Sequence, residues 1–299
     1  MPEKRTCTQC GYWVSGIPCG ACHHPNAGFL PTNDDMVFFD AGPRCPINKL
    51  RNREDYINHP EKIIFRMREY MNVLGIKGAV IGISGGKDST IVAKLMVECF
   101  GKENVLGVLM PNGEQSDIED SVKVVELLDI EAIDINIKNS FDGLVDNTSR
   151  RLEYLGKSLT ESSRINIAPR IRMATLYAVA QSMGNGWRVI GTTNKSEEYI
   201  GWLTKWGDGG ADFEPIIDFT VTELHQIGLN LGLPKELVCK IPIDGLAKGS
   251  DEERFGFSYA DLDKYIMNGT SGNEEIDKKI YRMHKYSEHK RVSIPKFKL

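Results

Sequence analysis

The sequence predicts an α/β protein built on a doubly wound parallel sheet, with a small cysteine-rich module ahead of it. Three observations carry that expectation. From Glu61 onward, short apolar runs of strand length alternate with amphipathic helical stretches, the order that places helices on both faces of a parallel sheet. One of these runs ends in a glycine-rich turn, Ser84-Gly85-Gly86-Lys87-Asp88-Ser89, that opens a helix. Five of the seven cysteines (Cys7, Cys10, Cys19, Cys22 and Cys45) fall before residue 46, which sets the N-terminal stretch apart from the rest.

Residues 1–55 are rich in Cys, Gly, Pro and Asn and show no sustained helical period, and the polar stretch 51–60 suits a linker or a first helix cap. The expected division is therefore a module over 1–55 and a main domain over 56–299. The stretch 61–75 reads as an amphipathic helix and 78–83 as a buried strand. Val92, Leu95, Met96 and Cys99 recur at helical spacing on the next element. A second strand is expected over 105–110, a helix over 121–128 and a third strand over 132–137. A polar stretch, roughly 140–166, separates these from a helix with Met173, Leu176, Tyr177 and Ala180 on one face, and 187–191 reads as a fourth strand. Ligands of such sheets bind at the carboxyl ends of the strands, which is where the glycine-rich turn lies.

Composition narrows the partners. A formal net charge of -4 offers no electrostatic footprint for nucleic acid or an acidic membrane. The sequence holds no long uncharged apolar run, and its first residues, MPEKRTCTQCGYW, lack the apolar core of a secretion signal. A cytoplasmic protein is expected. In that reducing setting, clustered cysteines suggest a metal rather than disulfides.

The turn has the chemistry of a phosphate cradle. Its glycines let backbone N–H groups approach an anion, the following helix points its positive end at the same place, and Ser84 and Ser89 add hydroxyl donors. Asp88 beside a phosphate makes sense only with a divalent cation between the like charges. The Walker pattern GxxxxGK[ST] is absent. Ser-Gly-Gly-x-Asp-Ser resembles the loop of the PP-loop ATP pyrophosphatases, which include NAD synthetase, GMP synthetase, asparagine synthetase and tRNA-thiolation enzymes. The resemblance implies an adenine nucleotide alpha hydrolase-like fold and release of the β- and γ-phosphates as pyrophosphate.

Segments farther along select within that group. Gly191-Thr192-Thr193-Asn194-Lys195-Ser196-Glu197, then Thr204-Lys205-Trp206-Gly207-Asp208-Gly209-Gly210-Ala211-Asp212-Phe213-Glu214-Pro215, resemble the GTxNxSE and TKxGDGxxDxxP segments of the NAD synthetase family. Asn166 through Met173 is similar to its NxxxRxR helix start. Leu233-Pro234 through Pro242-Ile243-Asp244-Gly245-Leu246 resembles its closing loop, and His289-Lys290 its C-terminal pair. The likeness runs in order from about residue 57 to the end. It implies that Gly82, Ile83, Ser84, Gly85, Gly86, Lys87, Asp88, Ser89 and Thr192 hold ATP and that Asp88 and Glu197 bind Mg²⁺. It implies further that Arg170, Lys205, Asp212, His289 and Lys290 contact deamido-NAD, with Asp88, Glu197 and Lys205 at the chemistry, in a homodimer whose substrate lies near the subunit interface. Two positions depart: Val221 stands where the family commonly has an ATP-contacting lysine, and Ile243 where it has Ser or Thr. Lys195 and Lys240 are candidates to compensate.

The implied reaction activates a carboxylate by attack on the α-phosphorus of ATP, releasing pyrophosphate, before ammonia displaces AMP. Catalysis of this kind is positioning plus electrostatics and needs no protein nucleophile. Residues 1–55 are too few for the glutaminase domain of glutamine-dependent relatives, so free ammonia or an external amidotransferase is expected. Two other readings compete: a tRNA-modifying PP-loop enzyme, which would need a basic face and paired cysteines near the loop, and a degenerate nucleotide sensor, which would release no pyrophosphate.

The module itself offers two zinc ligand sets. The paired set is Cys7, Cys10, Cys19 and Cys22. The other, Cys7, Cys10, Cys22 and Cys45, fits compact fingers of the form CxxCxxW…CxxP…C and leaves Cys19 spare; it is preferred because it uses Cys45. So small a segment has too little core to fold without a metal, and its expected task is to bind a protein partner or an ammonia donor.

Overall fold

The computed structural model describes residues 53–114, 118–239 and 250–297. The cysteines Cys7, Cys10, Cys19, Cys22 and Cys45 lie outside the described residues, as do Lys240 and the stretch 241–249 with Ile243. Arg53–Asn58 form a short helix, α1. His59 onward belongs to a separate compact unit, described from here on.

The unit opens with α2 (Pro60–Val73), followed by β1 (Gly78–Gly82), α3 (Lys87–Phe100), β2 (Val105–Leu109), α4 (Ile118–Leu128) and β3 (Glu131–Asp134). Next come α5 (Lys138–Glu153), α6 (Glu161–Ile165), α7 (Ile167–Ser182) and β4 (Trp187–Val189). The four strands form one parallel sheet in the order β3-β2-β1-β4. In register, Val80 pairs with Leu106 on one side and Val189 on the other. The expected parallel α/β architecture is thus observed.

Side chains alternate across a strand, so Val80 and Ile81 serve opposite faces. Val80, Leu106, Val108 and Val189 pack with Phe141 and Val145 of α5 and with Met173, Leu176 and Ala180 of α7. On the other face, α3 lies against β1 and β2 and is enclosed by α2 and α4. Ile91, Val92, Leu95 and Met96 on α3 are essentially inaccessible. Burying four such side chains contributes about 1.5–3 kcal/mol each, which fixes the helix that carries the phosphate loop. Edge strand β3 departs from the expected two-sided burial: all its residues are exposed.

The polar stretch at 140–166 turns out to contain most of α5 and all of α6. Helix α5 escapes a periodicity reading because only Phe141 and Val145 are buried among Asn, Ser, Asp, Gly and Thr, residues of weak helix propensity. After β4 the chain is helical: α8 (Lys195–Ile200), α9 (Val221–Asn230), α10 (Lys235–Val238), α11 (Asp251–Phe255), α12 (Tyr259–Asn268), α13 (Glu274–Tyr286) and α14 (Glu288–Arg291). Ile200, Val221, Phe255, Phe257, Tyr259, Leu262 and Ile280 form a second apolar cluster there. Phe255 is its hub, with ring centroids 5.2 Å from Trp202, 4.8 Å from Phe257 and 5.4 Å from Tyr259.

Beyond β4 the segment at 212–214 runs along the edge of the sheet. Asp212 N donates to Val189 O at 3.0 Å and Gly191 N to Phe213 O at 2.8 Å. Glu214 folds beneath the loop that follows β4, where its Oε2 accepts from Thr193 N at 3.2 Å. A Cβ at Gly191 would lie 2.1 Å from Glu214 Oε1, so any larger residue would displace the Glu214 carboxyl from its place beneath the loop. Burial pushes the Glu214 carboxyl up to about 8, against the opposing effect of the Thr193 hydrogen bond. The unfolded chain releases this proton near pH 4.5, so folding is penalised increasingly from there up to pH 8 and by a constant amount above. Glu214→Gln, which keeps an acceptor for Thr193, is therefore expected to be neutral below pH 4.5 and to stabilise by about 1–3 kcal/mol at pH 8. Thermal unfolding across that range tests it; a pH-independent difference would refute the assignment.

Candidate active site

The loop between β1 and α3 is shaped by backbone contact. Gly85 has φ +73°, and a Cβ there would lie 2.8 Å from Ser121 N and 2.9 Å from Asp120 C at the start of α4, so no larger residue fits. Ser84 and Ser89 brace the turn: their Oγ atoms are 3.1 Å apart, Gly86 N donates to Ser84 Oγ at 3.2 Å, and Ser89 Oγ donates to Gly86 O at 3.1 Å. Gly86 at the N-cap has no capping side chain, which leaves N–H groups of the first turn of a long helix free to meet an anion.

A second loop meets the first from β4, the neighbour of β1 in the sheet. It leads into α8, whose start is a capping box: Asn194 Oδ1 accepts from Glu197 N at 3.0 Å, and Glu197 Oε2 accepts from Asn194 N at 3.3 Å. The carboxyl that caps the helix is thereby held in place within the electrostatic reach of Asp88. Helix α8 is held from below by buried Asp263 of α12, which accepts from Ser196 Oγ, from Thr222 N at 2.8 Å and from Thr222 Oγ1 at 2.6 Å. At its other end Arg291 donates to the carbonyls of Glu198 at 3.2 Å and Tyr199 at 3.0 Å, a cation where the helix dipole is negative.

Lys87 is only 2 % exposed, and its Nζ lies 2.7 Å from Asp88 Oδ2. The other oxygen, Asp88 Oδ1, is buried without a hydrogen-bond partner. Burial, then the charge of Asp88, raises Glu197 well above the usual carboxylate range. Burial alone would lower Lys87, but Asp88 and Glu197 outweigh it and leave its pKa raised. Asp251, also buried, adds a third carboxylate to this group. Among the described residues no set of three His, Cys, Asp or Glu side chains forms a metal cage. An orphaned carboxylate oxygen beside a second carboxyl suits instead an ion such as Mg²⁺, which takes one or two carboxylates and completes its shell with water and phosphate oxygens.

These groups line a cleft of about 1120 Å³, larger than the 300–1,000 Å³ of an ordinary small-molecule pocket. Gly82, Ile83, Ser84, Gly86, Lys87, Asp88, Ser89, Thr192 and Glu197 face it from one side. From the other side come Asn166, Arg172, Thr204, Asp208 and Lys290. Thr204 is pinned twice, by Oγ1 donation to Asn166 Oδ1 at 2.6 Å and by N donation to Asp208 Oδ1 at 3.0 Å. Lys290 Nζ donates to Gly201 O and Leu203 O, both at 2.7 Å. Lys205 Nζ donates to His289 O, and Arg170 Nε to Lys205 O at 3.3 Å. Arg170, Lys205, His289 and Lys290 thus converge on one loop. Asp212 stands apart, accepting from Tyr177 Oη at 3.2 Å and Val189 N at 3.0 Å. Val221 is a buried member of the apolar cluster, and Lys195 pairs with Asp218 at 3.5 Å.

The sequence reading overlooked Asp251, Arg254 and Arg172 as cleft residues. Arg172 was visible in the Arg-x-Arg pair beside Arg170. Asp251 and Arg254 follow the stretch 241–249 and reach the cleft only through the packing of Phe255 and Tyr259, which leaves no local signal.

Known proteins share the sequence and the fold of this chain. The family model described as NAD synthase matches residues 60–295. The NH3-dependent NAD+ synthetase of Pyrococcus horikoshii is 41 % identical over 245 residues, covering 77 % of this chain and 92 % of that protein. That of Finegoldia magna is 38 % identical over 229 residues, covering 75 % and 89 %. Among solved structures, an NMN synthetase from Francisella tularensis superposes with a TM-score of 0.71 at 30 % identity, over 82 % of this chain and 98 % of the other. The NH3-dependent NAD synthetase of Campylobacter jejuni gives 0.66 at 26 % identity, over 82 % and 99 %. With its fold, its phosphate loop and most of its length accounted for, the chain belongs to the NAD synthase family.

Proposed function

We propose that this chain performs ATP-dependent amidation of deamido-NAD by ammonia, giving NAD, AMP and pyrophosphate. The observation that carries the reading is the buried, unpartnered Asp88 Oδ1, on a carboxylate near enough to Glu197 for its charge to help raise that group. Loop N–H groups, Ser84, Ser89 and Thr192 bind the triphosphate. The substrate carboxylate attacks the α-phosphorus, pyrophosphate departs, and ammonia attacks the acyl-adenylate carbon to expel AMP. Asp88 and Glu197 would hold Mg²⁺, which supplies charge stabilisation for the departing pyrophosphate. Lys290 lines the cleft for the dinucleotide, and Arg170, Lys205 and His289 bond to one another beside it. Lys205 and Lys290 bond to backbone carbonyls and so shape the 201–205 loop, and Lys290 keeps a positive charge in the lining of the cleft. Asp212 secures the base of that loop against β4 and α7.

The sulfur-transfer alternative needs a reactive cysteine near the loop. Cys99 sits at the far end of α3, about 1.5 Å per residue from Asp88 along the helix, and burial pushes its thiol up to about 12. It stays protonated and distant. Cys239, the other described cysteine, is an exposed thiol beyond the end of α10.

Asp88→Asn and Glu197→Gln each remove one negative ligand at nearly constant volume. Each is expected to lower deamido-NAD-dependent pyrophosphate release by about 100-fold or more while circular dichroism reports an intact fold. Near-normal release at limiting Mg²⁺ would refute the metal assignment. The dinucleotide reading requires the AMP half of the substrate to contribute binding. Deamido-NAD should therefore give a higher kcat/KM than nicotinate mononucleotide; the reverse order would make this chain a synthetase of the mononucleotide, the activity in the name of the Francisella NMN synthetase.

For the N-terminal module we retain zinc on Cys7, Cys10, Cys22 and Cys45, supported by their spacing, with a homodimer as the assembly. Native mass spectrometry is expected to show a dimer carrying one zinc per chain, with the metal lost selectively in Cys45→Ser. A metal-free monomer would overturn both.

A further inference from the structure

The resemblance counts Lys87 among the residues that hold ATP but gives its side chain no separate task, and the fold buries that side chain in the lining of the cleft. Its ammonium is 2 % exposed, bonded to Asp88 Oδ2 at 2.7 Å and 5.7 Å from the centre of the Tyr259 ring. A lysine in such a position costs desolvation that a well-packed apolar residue would avoid. Lys87 lies on the first turn of α3, inside the phosphate loop itself. The other cations lining the cleft have different attachments: Arg254 stacks over Trp202 at 4.6 Å, Arg172 donates to Met110 O at 3.1 Å, and Lys290 holds the 201–203 carbonyls.

The two oxygens of Asp88 are differently placed. Oδ2 is held by Lys87, whereas Oδ1 is buried and has no hydrogen-bond partner. A divalent ion at Oδ1 would share the single negative charge of Asp88 with the ammonium at Oδ2, and the two cations repel each other across one carboxylate. Phosphate oxygens remove that conflict, because the ammonium can turn on its flexible stem to bond them and leave Asp88 to the metal.

We propose that Lys87 is a resident counter-cation of the phosphate loop: it holds Asp88 while the cleft is free of nucleotide and passes to the triphosphate when the divalent ion enters. This rests on Asp88 and Glu197 being the metal ligands. It makes metal binding conditional on nucleotide. The ion alone must compete with Lys87 for Asp88, whereas ion and triphosphate together satisfy every charge. By linkage, each strengthens the other by the same factor.

Mn²⁺ binding to the full chain, read by electron paramagnetic resonance, tests the idea without reference to turnover. Lys87→Met should bind Mn²⁺ at least about ten-fold tighter than wild type in the absence of nucleotide. The same variant should bind a non-hydrolysable ATP analogue with Mg²⁺ at least about ten-fold more weakly, while Lys87→Arg stays near wild type in both. Unchanged or weaker Mn²⁺ binding by Lys87→Met overturns the proposal. If that variant does not fold, wild type decides: inorganic pyrophosphate must strengthen Mn²⁺ binding, and its failure to do so also overturns it. Lys87→Met/Asp88→Asn separates the two readings. Return to weak Mn²⁺ binding supports both, whereas tight binding that survives loss of Asp88 shows that the metal assignment itself fails.

Discussion

Carboxylates removed from water are stable only if a cation accompanies them or a proton neutralises them. The cleft gathers Asp88, Glu197 and Asp251 with Lys87 in that condition, and much of the fold serves to keep them there. Asp88 arrives from the end of β1 and Glu197 from the end of β4, strands that are neighbours in the sheet. Parallel pairing brings both carboxyl ends to one side, so two segments more than a hundred residues apart in sequence meet without a long excursion. Burying α3 fixes Asp88. The capping box and Asp263 fix Glu197. The aromatic cluster around Phe255 delivers Asp251.

What sequence conveyed well was local. The Gly85 turn, the helix behind it and the apolar runs that became β1 and β2 announce themselves because their physics is contained in a few consecutive residues. The stretch around Asn194 and Glu197 was equally visible, although its capping-box geometry explains why the carboxyl points where it does. What sequence conveyed poorly depends on partners far away. Helix α5 needs only Phe141 and Val145 to dock on the sheet, so its composition looks like a loop. β3 is a strand because β2 offers it hydrogen bonds, and not because its own side chains seek burial. Lys87 could be read as a loop donor, but its pairing with Asp88 could not. The roles of Lys205, Lys290 and Asp212 were read from position in a resembling segment, whereas their bonds to backbone and to Tyr177 emerge only from the fold.

The cleft also shows two ways of holding a loop. Around Gly85 and Gly191 the backbone is fixed by contact, since neighbouring atoms occupy the space where a side chain would begin. Around 201–205 it is fixed by donors instead: Lys290, Arg170 and the Asp208–Thr204 bond each secure a main-chain group. The first arrangement tolerates little displacement and suits a cradle that must present fixed backbone donors to phosphate oxygens. The second can yield one bond at a time, which suits the side of the cleft that must admit a substrate and release a product.

Arg291 and Lys290 hold carbonyls of α8 and of the loop after it across 87 to 93 residues of intervening chain. Contacts so distant in sequence form late, because the entropy of closing the loop must be met before they give any return. A ribosome releasing this protein exposes the phosphate loop long before it exposes α14. During that interval the local capping box can already turn Glu197 toward the loop, but the far end of α8 and the loop after it lack their anchors. The wall of the cleft that these two cations hold is therefore the part of the site completed last as the chain emerges.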